Sequence, residues 1–413
     1  MKIFILFSLL FSILTGCSAP EKDQDVLTGA DRLLGEEFSL IKDKNVGIVT
    51  NHTALLSNGI HLVDTLHNRA DVTVKVLFGP EHGIRGDEPD GMKIKDGIDS
   101  KTGVPVYSLY GKIRKPTPEM LKDVDVLIFD IQDIGARFYT FISTMYYTLQ
   151  AAAENDIPVL VLDRPNPIGG LTVDGPIRVE ELKSFVAIAP VAIVHGMTVG
   201  ELATIFNDEN MLEDKAEADL TVVEMKNWER EMYYDQTGLN WVAPSPNMPD
   251  LETALLYPGL CLIEGTNISE GRGTLQPFKQ IGAPFINKDV LSAELNKLGI
   301  EGLKITPVKY TPVSIENMSK YPKFQDKTCY GVKLEITDRD KFESLKFGVR
   351  LVSLIRQLYP DQFEFRKNWL DKLTGVEWIR DDIKNGADAI IIISKWKEEV
   401  DTFKNMRESY LRY

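Results

Sequence analysis

The sequence has few of the residues that mark metal, redox or nucleic-acid proteins. Only three of its 413 residues are cysteines, too few for a disulfide framework or a structural zinc site. Basic residues are outnumbered, 47 against 61 acidic ones, and the net charge of −14 argues against nucleic-acid binding, which needs a basic face. The 43% hydrophobic content is typical of a soluble globular protein, and the length predicts two or three domains.

Several well-known site motifs are also absent. We find no GxxxxGK[ST] loop, no GxGxxG after the first predicted strand, no GxSxG elbow and no HExxH, which disfavours phosphate transfer, dinucleotide binding, α/β-hydrolase chemistry and zinc proteolysis. With five histidines in the chain, a metal site would have to combine His52, His82 and His195 with Asp130. Their spacing is not diagnostic, so we expect neither a metal nor a cofactor.

The one long apolar run lies at the N-terminus. Residues 1–16 carry a lysine, then an apolar stretch and small residues, which is typical of a signal peptide. The sequence LTGC, ending at Cys17, resembles the lipobox of bacterial lipoproteins. The resemblance implies cleavage before Cys17, lipid attachment there and a tether over residues 17–26. We therefore expect a membrane-anchored lipoprotein of a bacterial cell envelope, periplasmic or in the outer membrane. The alternative is a secreted protein with a fortuitous cysteine.

The hydropathy pattern predicts an α/β fold. Five short runs are almost continuously hydrophobic, as in strands that are buried on both faces of a parallel sheet. They alternate with helical patterns, including residues 138–154 and a helix start at Thr117. We predict a Rossmann-like parallel-sheet domain over residues 27–250 and a smaller α+β C-terminal domain over 251–413. The five runs are Val46–Thr50, Val72–Phe78, Val104–Tyr110, Val124–Asp130 and Ile157–Asp163.

Ligands of such sheets bind at the carboxyl ends of the strands. Four predicted strands are followed by loops that combine turn formers with functional polar groups. Asn51 follows the first strand. GPEHGIRG, which follows the second, contains Glu81, His82 and Arg85 between glycines. A partly desolvated carboxyl here would have a raised pKa and act as a general acid. Alternatively, Glu81 caps a helix or pairs with Arg85.

The next loop, IQDIGARFYT, follows Asp130. Gln132 is a candidate for ligand binding, Arg137 for a bidentate clamp on a carboxylate, and Tyr139 for donating to or stacking on a ring. The alternative is an Asp–Arg ion pair within the loop, with the aromatic residues in the core.

Two further loops supply candidates from the end of the first domain. DRPNPIGG restricts Asn166 between two prolines, either to present its amide or simply to form a rigid turn. His195 lies just before a helix, where a structural role is equally open. Glu201, three residues after Thr198, has the spacing of a capping box.

A glycine-rich stretch, EGTNISEGRGT, comes from the second domain. Its composition is compatible with a disordered loop, but the apolar residues on either side favour an ordered second wall of the cleft. Its candidate residues are Glu264, Asn267, Glu270 and Arg272.

Taken together and in this order, the motifs resemble those of the NamZ-type exo-β-N-acetylmuramidases. These are glycoside hydrolases of bacterial cell-wall turnover, long described as a domain of unknown function. The resemblance runs from about residue 28 to the C-terminus. Its motifs are FGPEHGIRG, DIQDIGARFYT, LDRPNPIGG, HGMTVGELA, PSPNMP and EGTNISEGRGT.

The resemblance implies a cleft between the two domains and release of N-acetylmuramic acid from non-reducing ends of peptidoglycan fragments. Glu81 matches the glutamate proposed as catalytic in that family, and the other motif residues are similar to those lining its pocket. Glycoside cleavage needs an acid for the leaving oxygen and stabilisation of an oxocarbenium-like state. The second group stays open. Either the substrate's 2-acetamido group attacks, oriented by Asp130, Asn166 or Glu264, or a second carboxylate acts as base or nucleophile.

The muramic lactyl carboxylate calls for a cation, and the candidates are Arg137 and Arg272. Two rivals remain open: a metal-dependent hydrolase using His82, His195 and Asp130, and a non-catalytic lipoprotein that captures muropeptides.

Overall fold

The computed structural model describes residues 25–86, 96–366 and 368–413. The predicted signal peptide of residues 1–16, the lipidation site Cys17 and nearly all of the tether lie outside the described residues. None of the helices within the described ranges is long and apolar enough to cross a bilayer.

Seven strands of the described chain form one sheet, with the order β3-β4-β2-β1-β5-β6-β7. Neighbouring strands are parallel except for β3, which pairs antiparallel with β4. The strand order reverses between β1 and β5, so the crevice at the carboxyl ends of these two strands is where a ligand is expected. The strands are Asn45–Thr50 (β1), Thr73–Gly79 (β2), Gly97–Ile98 (β3), Pro105–Ser108 (β4), Val126–Asp130 (β5), Val159–Leu162 (β6) and Leu220–Val223 (β7).

Both faces of the central strands are buried. Val49 and Phe129 belong to one hydrophobic core, whereas Ile48 and Ile128 belong to another on the opposite face. This is the physical reason why the strand sequences are hydrophobic without alternation. The predicted α/β class with a Rossmann-like parallel sheet is confirmed. Strands β3 and β7 were not predicted, because they are short and lie at the two edges of the sheet.

Helices cover this sheet and lead into the second half. The capping box of Thr198 and Glu201 is confirmed at the start of α4. The helix start predicted at Thr117 is wrong: residues 118–123 form turns, because too few residues remain before β5 for a helix. The helices are Gly29–Leu34 (α1), Leu62–His67 (α2), Phe141–Glu154 (α3), Val199–Asp208 (α4) and Leu251–Leu260 (α5).

The C-terminal part has a smaller antiparallel sheet, ordered β8-β10-β9, packed with helices, so the predicted α+β character is confirmed. Its strands are Gln280–Ala283 (β8), Leu303–Tyr310 (β9) and Cys329–Ile336 (β10). Its helices are Lys288–Lys297 (α6), Ser344–Leu358 (α7), Trp369–Thr374 (α8), Trp378–Lys384 (α9), Ala389–Ser394 (α10) and Lys397–Arg407 (α11).

The two parts are held together tightly. One hydrophobic core extends from the β5 side of the first sheet to the C-terminal helices. Helices α5 and α7 touch at two glycines: a Cβ on Gly348 would lie 2.3 Å from the carbonyl oxygen of Gly259. The Tyr413 hydroxyl donates to Asp163 at the end of β6, at 2.8 Å. These contacts join the N-terminal and C-terminal parts of the described chain. The boundary near residue 250 stays a prediction.

Candidate active site

We call the loops after β1, β2, β5 and β6 the first wall of the candidate site. The loop after β2 has an unusual backbone, with His82 at φ +72° followed by Gly83 at the same value. Positive φ in a non-glycine residue is costly and is kept only where the surroundings hold it. His82 is buried, and the neighbouring Glu81 is half-buried. The Thr140 hydroxyl, at the N-terminus of α3, lies 3.5 Å from Glu81 Oε2.

Arg85 holds this loop in place. Its Nε and Nη2 atoms donate to the two oxygens of Asp99, at 2.9 and 2.7 Å, and Nη2 also donates to Asp64 at 2.7 Å. Desolvation raises the pKa of Asp99, but the hydrogen bonds from Arg85 and Thr102 outweigh it and bring the pKa to about 2. This corrects the expectation that Arg85 contacts substrate, because its guanidinium is used to anchor the loop. The pairing of Arg85 with Glu81 is likewise replaced by these two aspartates.

The floor of the crevice is built from side-chain amides. Asn51 Oδ1 accepts from the backbone and hydroxyl of Thr53, and the same hydroxyl accepts from the Gln132 backbone at 3.0 Å. Gln132 Nε2 donates to the carbonyl of Pro165 at 2.7 Å. Among the described residues, Asn51 Nδ2 and Gln132 Oε1 are buried without a partner. Buried polar atoms are nearly always satisfied, so these two are available for a ligand or water.

Asn166 is fully engaged. Its Nδ2 donates to the Met197 carbonyl at 3.0 Å, and its Oδ1 accepts from Ile168 at 3.2 Å. A Cβ on Gly135, which has φ +85°, would lie 2.3 Å from Asn166 Oδ1. Glycine is therefore required at position 135, and Asn166 serves mainly to lock two loops together.

Asp130 is sealed in the interior. It is fully buried, and both of its oxygens pair with Arg164, at 2.5 Å to Nε and 2.9 Å to Nη2. The expectation that Asp130 takes part in catalysis or orients substrate is therefore corrected: its charge is consumed by a buried two-point ion pair.

Arg137 is also an internal group. Its guanidinium is fully buried and donates to four backbone carbonyls, and burial lowers its pKa to about 9. This corrects the role of substrate clamp, because every bond that we observe goes to the protein backbone. Two of the carbonyls belong to the C-terminal part, so Arg137 joins the two halves. The carbonyls are those of Pro176, Val191, Leu373 and Thr374.

His195 and Asp133 lie next to each other below the floor, with Nε2 3.8 Å from Oδ2. Burial is the main reason why the pKa of His195 falls to about 3 and that of Asp133 rises to about 7. His195 is thus neutral, and we do not regard the contact as an ion pair. His195 is fully buried and its Nε2 atom has no hydrogen-bond partner within the described part of the chain, so its predicted contact with substrate stays a prediction, as for Asn51 and Gln132.

The second wall is the stretch Glu264–Thr274 together with Lys323. Arg272 Nη2 lies 2.9 Å from Glu264 Oε1, and Arg272 Nε lies 3.6 Å from Glu270 Oε1. Lys323 Nζ lies 3.0 Å from Glu270 Oε2. Burial dominates at Glu264 and raises its pKa, whereas at Glu270 it is outweighed by Lys323 and Arg272, which lower the pKa. The two carboxyl groups of this cluster therefore differ in their affinity for a proton, which is increased at Glu264 and decreased at Glu270.

Asn267 does not belong to this charged cluster. Its amide donates to the Gln362 carbonyl at 2.7 Å and accepts from the Glu364 backbone at 3.0 Å. This corrects its predicted contact with substrate, because both ends of the amide are used to hold a neighbouring segment.

Aromatic rings connect the two walls. The ring of Tyr139, next to Thr140, lies 5.9 Å from that of Tyr257, which lies 4.9 Å from Phe278. The Arg272 guanidinium lies 5.3 Å from the centre of Phe278. This series links Thr140, which contacts Glu81, to Arg272 in the second wall through successive ring contacts.

The connector PSPNMP and the residue before it, Ala243, form further contacts around the candidate site. His52 Nε2 is 2.8 Å from the Ala243 carbonyl, and a Cβ on Gly86 would meet the His52 ring at 2.6 Å. Asn247 Nδ2 donates to the Met318 carbonyl at 2.9 Å. The connector therefore joins the end of the Glu81 loop to the turn that precedes Lys323.

Three residues of the candidate site were not identified from the sequence: Tyr257, Lys323 and Asn247. A lone lysine in the β9–β10 connection carries no motif, and Tyr257 reads as part of an ordinary apolar helix. Asn247 had a usable signal, since it is a polar residue between prolines, but only the rigidity of the segment was predicted. Within the described ranges, no group of three or more histidine, cysteine or acidic side chains is placed to hold a metal.

Comparisons with known proteins agree over nearly the whole chain. The N-terminal family model for exo-β-N-acetylmuramidase NamZ matches residues 46–252, and the C-terminal model matches residues 255–413. The chain is 47% identical to the peptidoglycan β-N-acetylmuramidase NamZ of Bacillus subtilis strain 168, covering 99% of this chain and 98% of that protein. It is also similar to two crystal structures of DUF1343 family proteins from Bacteroides fragilis NCTC 9343, with TM-scores of 0.87 and 0.79. Each is 37% identical, and the match covers 94% of this chain and 99% of theirs.

Proposed function

We propose, from the premise that this chain belongs to the NamZ family of exo-β-N-acetylmuramidases, that it releases N-acetylmuramic acid from the non-reducing ends of peptidoglycan fragments with Glu81 as its general acid. The chain is a glycosidase, and the proposal concerns how its residues act. One observation carries it: Glu81 lies within 3.5 Å of Thr140, where the aromatic series from the second wall begins. Its carboxyl therefore lies next to the residue from which the aromatic contacts lead to Arg272.

Glu81 protonates the glycosidic oxygen as the bond to the anomeric carbon breaks. The half-buried position and the held backbone of the loop favour a carboxyl that keeps its orientation during this step. The charge that develops on the sugar needs a second group. Of the three candidates for orienting the 2-acetamido group, Asp130 and Asn166 have their polar atoms occupied by the protein. Glu264, whose side chain is 18% exposed, is the one that we assign to this role.

Arg272 is the cation that we assign to the lactyl carboxylate. Its side chain is 20% exposed, in contrast to the buried Arg137. Burial raises the pKa of Glu264. Arg272 and Lys323 place two cations beside Glu270, and a planar guanidinium suits a sugar that carries a carboxylate.

The test of the general acid is the variant Glu81→Gln. We expect kcat on a chromogenic β-N-acetylmuramide to fall about 10²–10⁴-fold, the usual contribution of a general acid. The control is Glu119→Gln, the same change at an exposed position, which should leave kcat unaltered. Retention of more than about a tenth of kcat in Glu81→Gln would remove Glu81 from this role.

The same assay separates the rivals. Capture without catalysis predicts no turnover by the wild-type protein at any pH. A metal-dependent hydrolase predicts loss of activity after exhaustive chelation and recovery after a divalent metal is added back.

We also propose that Cys17 is lipidated and anchors the enzyme to a bacterial cell-envelope membrane, near its polymer. Support comes from the LTGC sequence and from the polar residues that follow it. Expression of the full chain with a labelled fatty acid should mark the wild type and leave Cys17→Ser unmarked. Equal labelling of the two proteins would refute lipidation at this cysteine.

A further inference from the structure

Beyond the charged cluster, the second wall carries three exposed apolar side chains. Leu275 is 78% exposed, Tyr321 is 81% exposed and Val313 is also exposed. We call Leu275, Val313 and Tyr321 the outer rim. Large apolar side chains that are exposed near a polar site are candidates for ligand contacts.

The outer rim is continuous with the proposed site. The Val313 backbone donates to the Gly273 carbonyl at 2.8 Å, and Gly273 directly follows Arg272. A Cβ on Gly273, at φ +79°, would lie 2.5 Å from Pro322, the residue after Tyr321. All three rim residues thus connect to Gly273: Val313 by a hydrogen bond, Tyr321 through the packing of Pro322, and Leu275 by its position two residues later in the chain. Gly273 directly follows Arg272, the cation that we assign to the lactyl group.

The backbone under the rim is well braced. Residues 315 and 319 exchange two backbone hydrogen bonds, at 3.0 and 2.9 Å, and Lys323 Nζ donates to the carbonyls of Ile263 and Ile268. A surface that is ordered before binding loses less entropy when a ligand arrives. The rim thus combines exposure of its side chains with restraint of its backbone.

The side chain of Tyr321 is the most exposed of the three. The Lys320 ammonium lies 5.5 Å from the centre of the ring, which is a cation–π contact on one side. Pyranose rings present C–H groups on their faces, which pack against the flat, apolar faces of aromatic rings while the sugar hydroxyls stay in water.

We infer that the outer rim is a binding platform for the aglycone saccharide, the part of the substrate on the reducing side of the cleaved bond, with Tyr321 stacking on one of its sugar rings. This inference rests on the proposed function. An exo-acting enzyme accepts one terminal sugar between the walls, so the remainder of the saccharide has to leave the cleft across an exposed edge. The outer rim is an edge of this kind on the second wall.

The experiment measures KM for β-N-acetylmuramides whose aglycone is a nitrophenyl ring, one sugar or three sugars. For the wild type, KM should fall as the aglycone lengthens. In Tyr321→Ala, KM for the longest substrate should rise about five- to tenfold with kcat unchanged, the size expected for the loss of one aromatic contact. KM for the nitrophenyl substrate should change much less. Tyr321→Phe should restore the wild-type trend.

The matched control is Ile390→Ala, which removes a side chain that is 65% exposed on α10; KM should not change. A wild-type KM that is independent of aglycone length overturns the platform, as does a Tyr321→Ala variant that keeps the full dependence. Wild-type protein that cleaves none of the substrates contradicts the proposed function itself, so the two failures are distinguishable.

Discussion

The two walls of the cleft hold charge in different ways. In the first wall, the ion pair of Asp130 and Arg164 is closed off from solvent, with side-chain exposures of 0% and 3%. In the second wall, Glu264 and Arg272 are paired at a similar distance but are 18% and 20% exposed. From residue types alone, the charged residues of both walls would be equally good candidates for catalysis.

The difference follows from the cost of desolvation. A charge in the interior is tolerated only when its partner and further hydrogen bonds compensate for the lost water. Once compensated, it has no bonding capacity left for a substrate. The second wall keeps part of its hydration, so a substrate carboxylate can replace water there. We therefore interpret the buried pair of Asp130 and Arg164 in the first wall as a structural scaffold. The partly exposed pair of Glu264 and Arg272 in the second wall we interpret as groups that contact the substrate.

The largest expected effect concerns the scaffold. Arg164→Met leaves the Asp130 carboxylate buried without its partner and should lower the free energy of unfolding by about 3–5 kcal/mol, measured by urea denaturation. The double variant Asp130→Leu/Arg164→Met removes both charges and should recover most of this loss. If Arg164→Met were as stable as the wild type, the interpretation of the buried pair as a scaffold would be wrong.

A somewhat smaller effect is expected at the second wall, and on activity rather than stability. Arg272→Gln should lower kcat/KM on a β-N-acetylmuramide about 30-fold or more, equivalent to about 2 kcal/mol. Activity on the matching β-N-acetylglucosaminide, which lacks the lactyl group, should change much less. The control, Arg339→Gln, breaks a pair with Asp235 away from the cleft and should affect neither substrate. Equal losses on both sugars would disprove the lactyl assignment.

The two walls should also show opposite pH dependences of stability. Burial raises the pKa of Asp133 to about 7 from 3.8, so folding favours its protonated form. Its stabilising contribution is complete below pH 3.8 and is lost as the pH rises to about 7. The stability of the wild type relative to Asp133→Asn should therefore fall as the pH rises across this window.

Glu270 should behave in the opposite sense. Burial acts to raise its pKa, but Lys323 and Arg272 outweigh it and lower the pKa below 4.5. Its contribution is present above pH 4.5 and is lost as the pH falls through the lowered value. The stability of the wild type relative to Glu270→Gln should thus decline on acidification. Slopes of the same sign for the two variants would show that the walls do not differ in this respect.

Much of the fold was predictable from local patterns. The five hydrophobic runs correspond to β1, β2, β4, β5 and β6, and the helical pattern over residues 138–154 corresponds to α3. These predictions succeed because burial on both faces of a strand, or along one face of a helix, leaves a periodic trace in the sequence. The turn at Thr117 and the edge strand β7 were misjudged because short elements have little periodicity to read.

The candidate site was predictable as a set of loops, but not residue by residue. Arg85, Arg137 and Arg272 all occur in glycine-containing motifs and look alike in the sequence. The structure assigns them to two aspartates, four backbone carbonyls and two glutamates, respectively. The partners of Arg85 and Arg137 lie between 14 and 237 positions away along the chain, and those of Arg272 lie within the same loop, so spacing alone does not identify them.

By itself, the sequence determined the α/β class, the loops at the strand ends and the family, because each is recorded in contiguous residues. Only the tertiary structure decided which charged groups are available to a substrate. Availability depends on how much water a side chain keeps once all its neighbours are in place, and those neighbours come from strands and helices far apart in the chain.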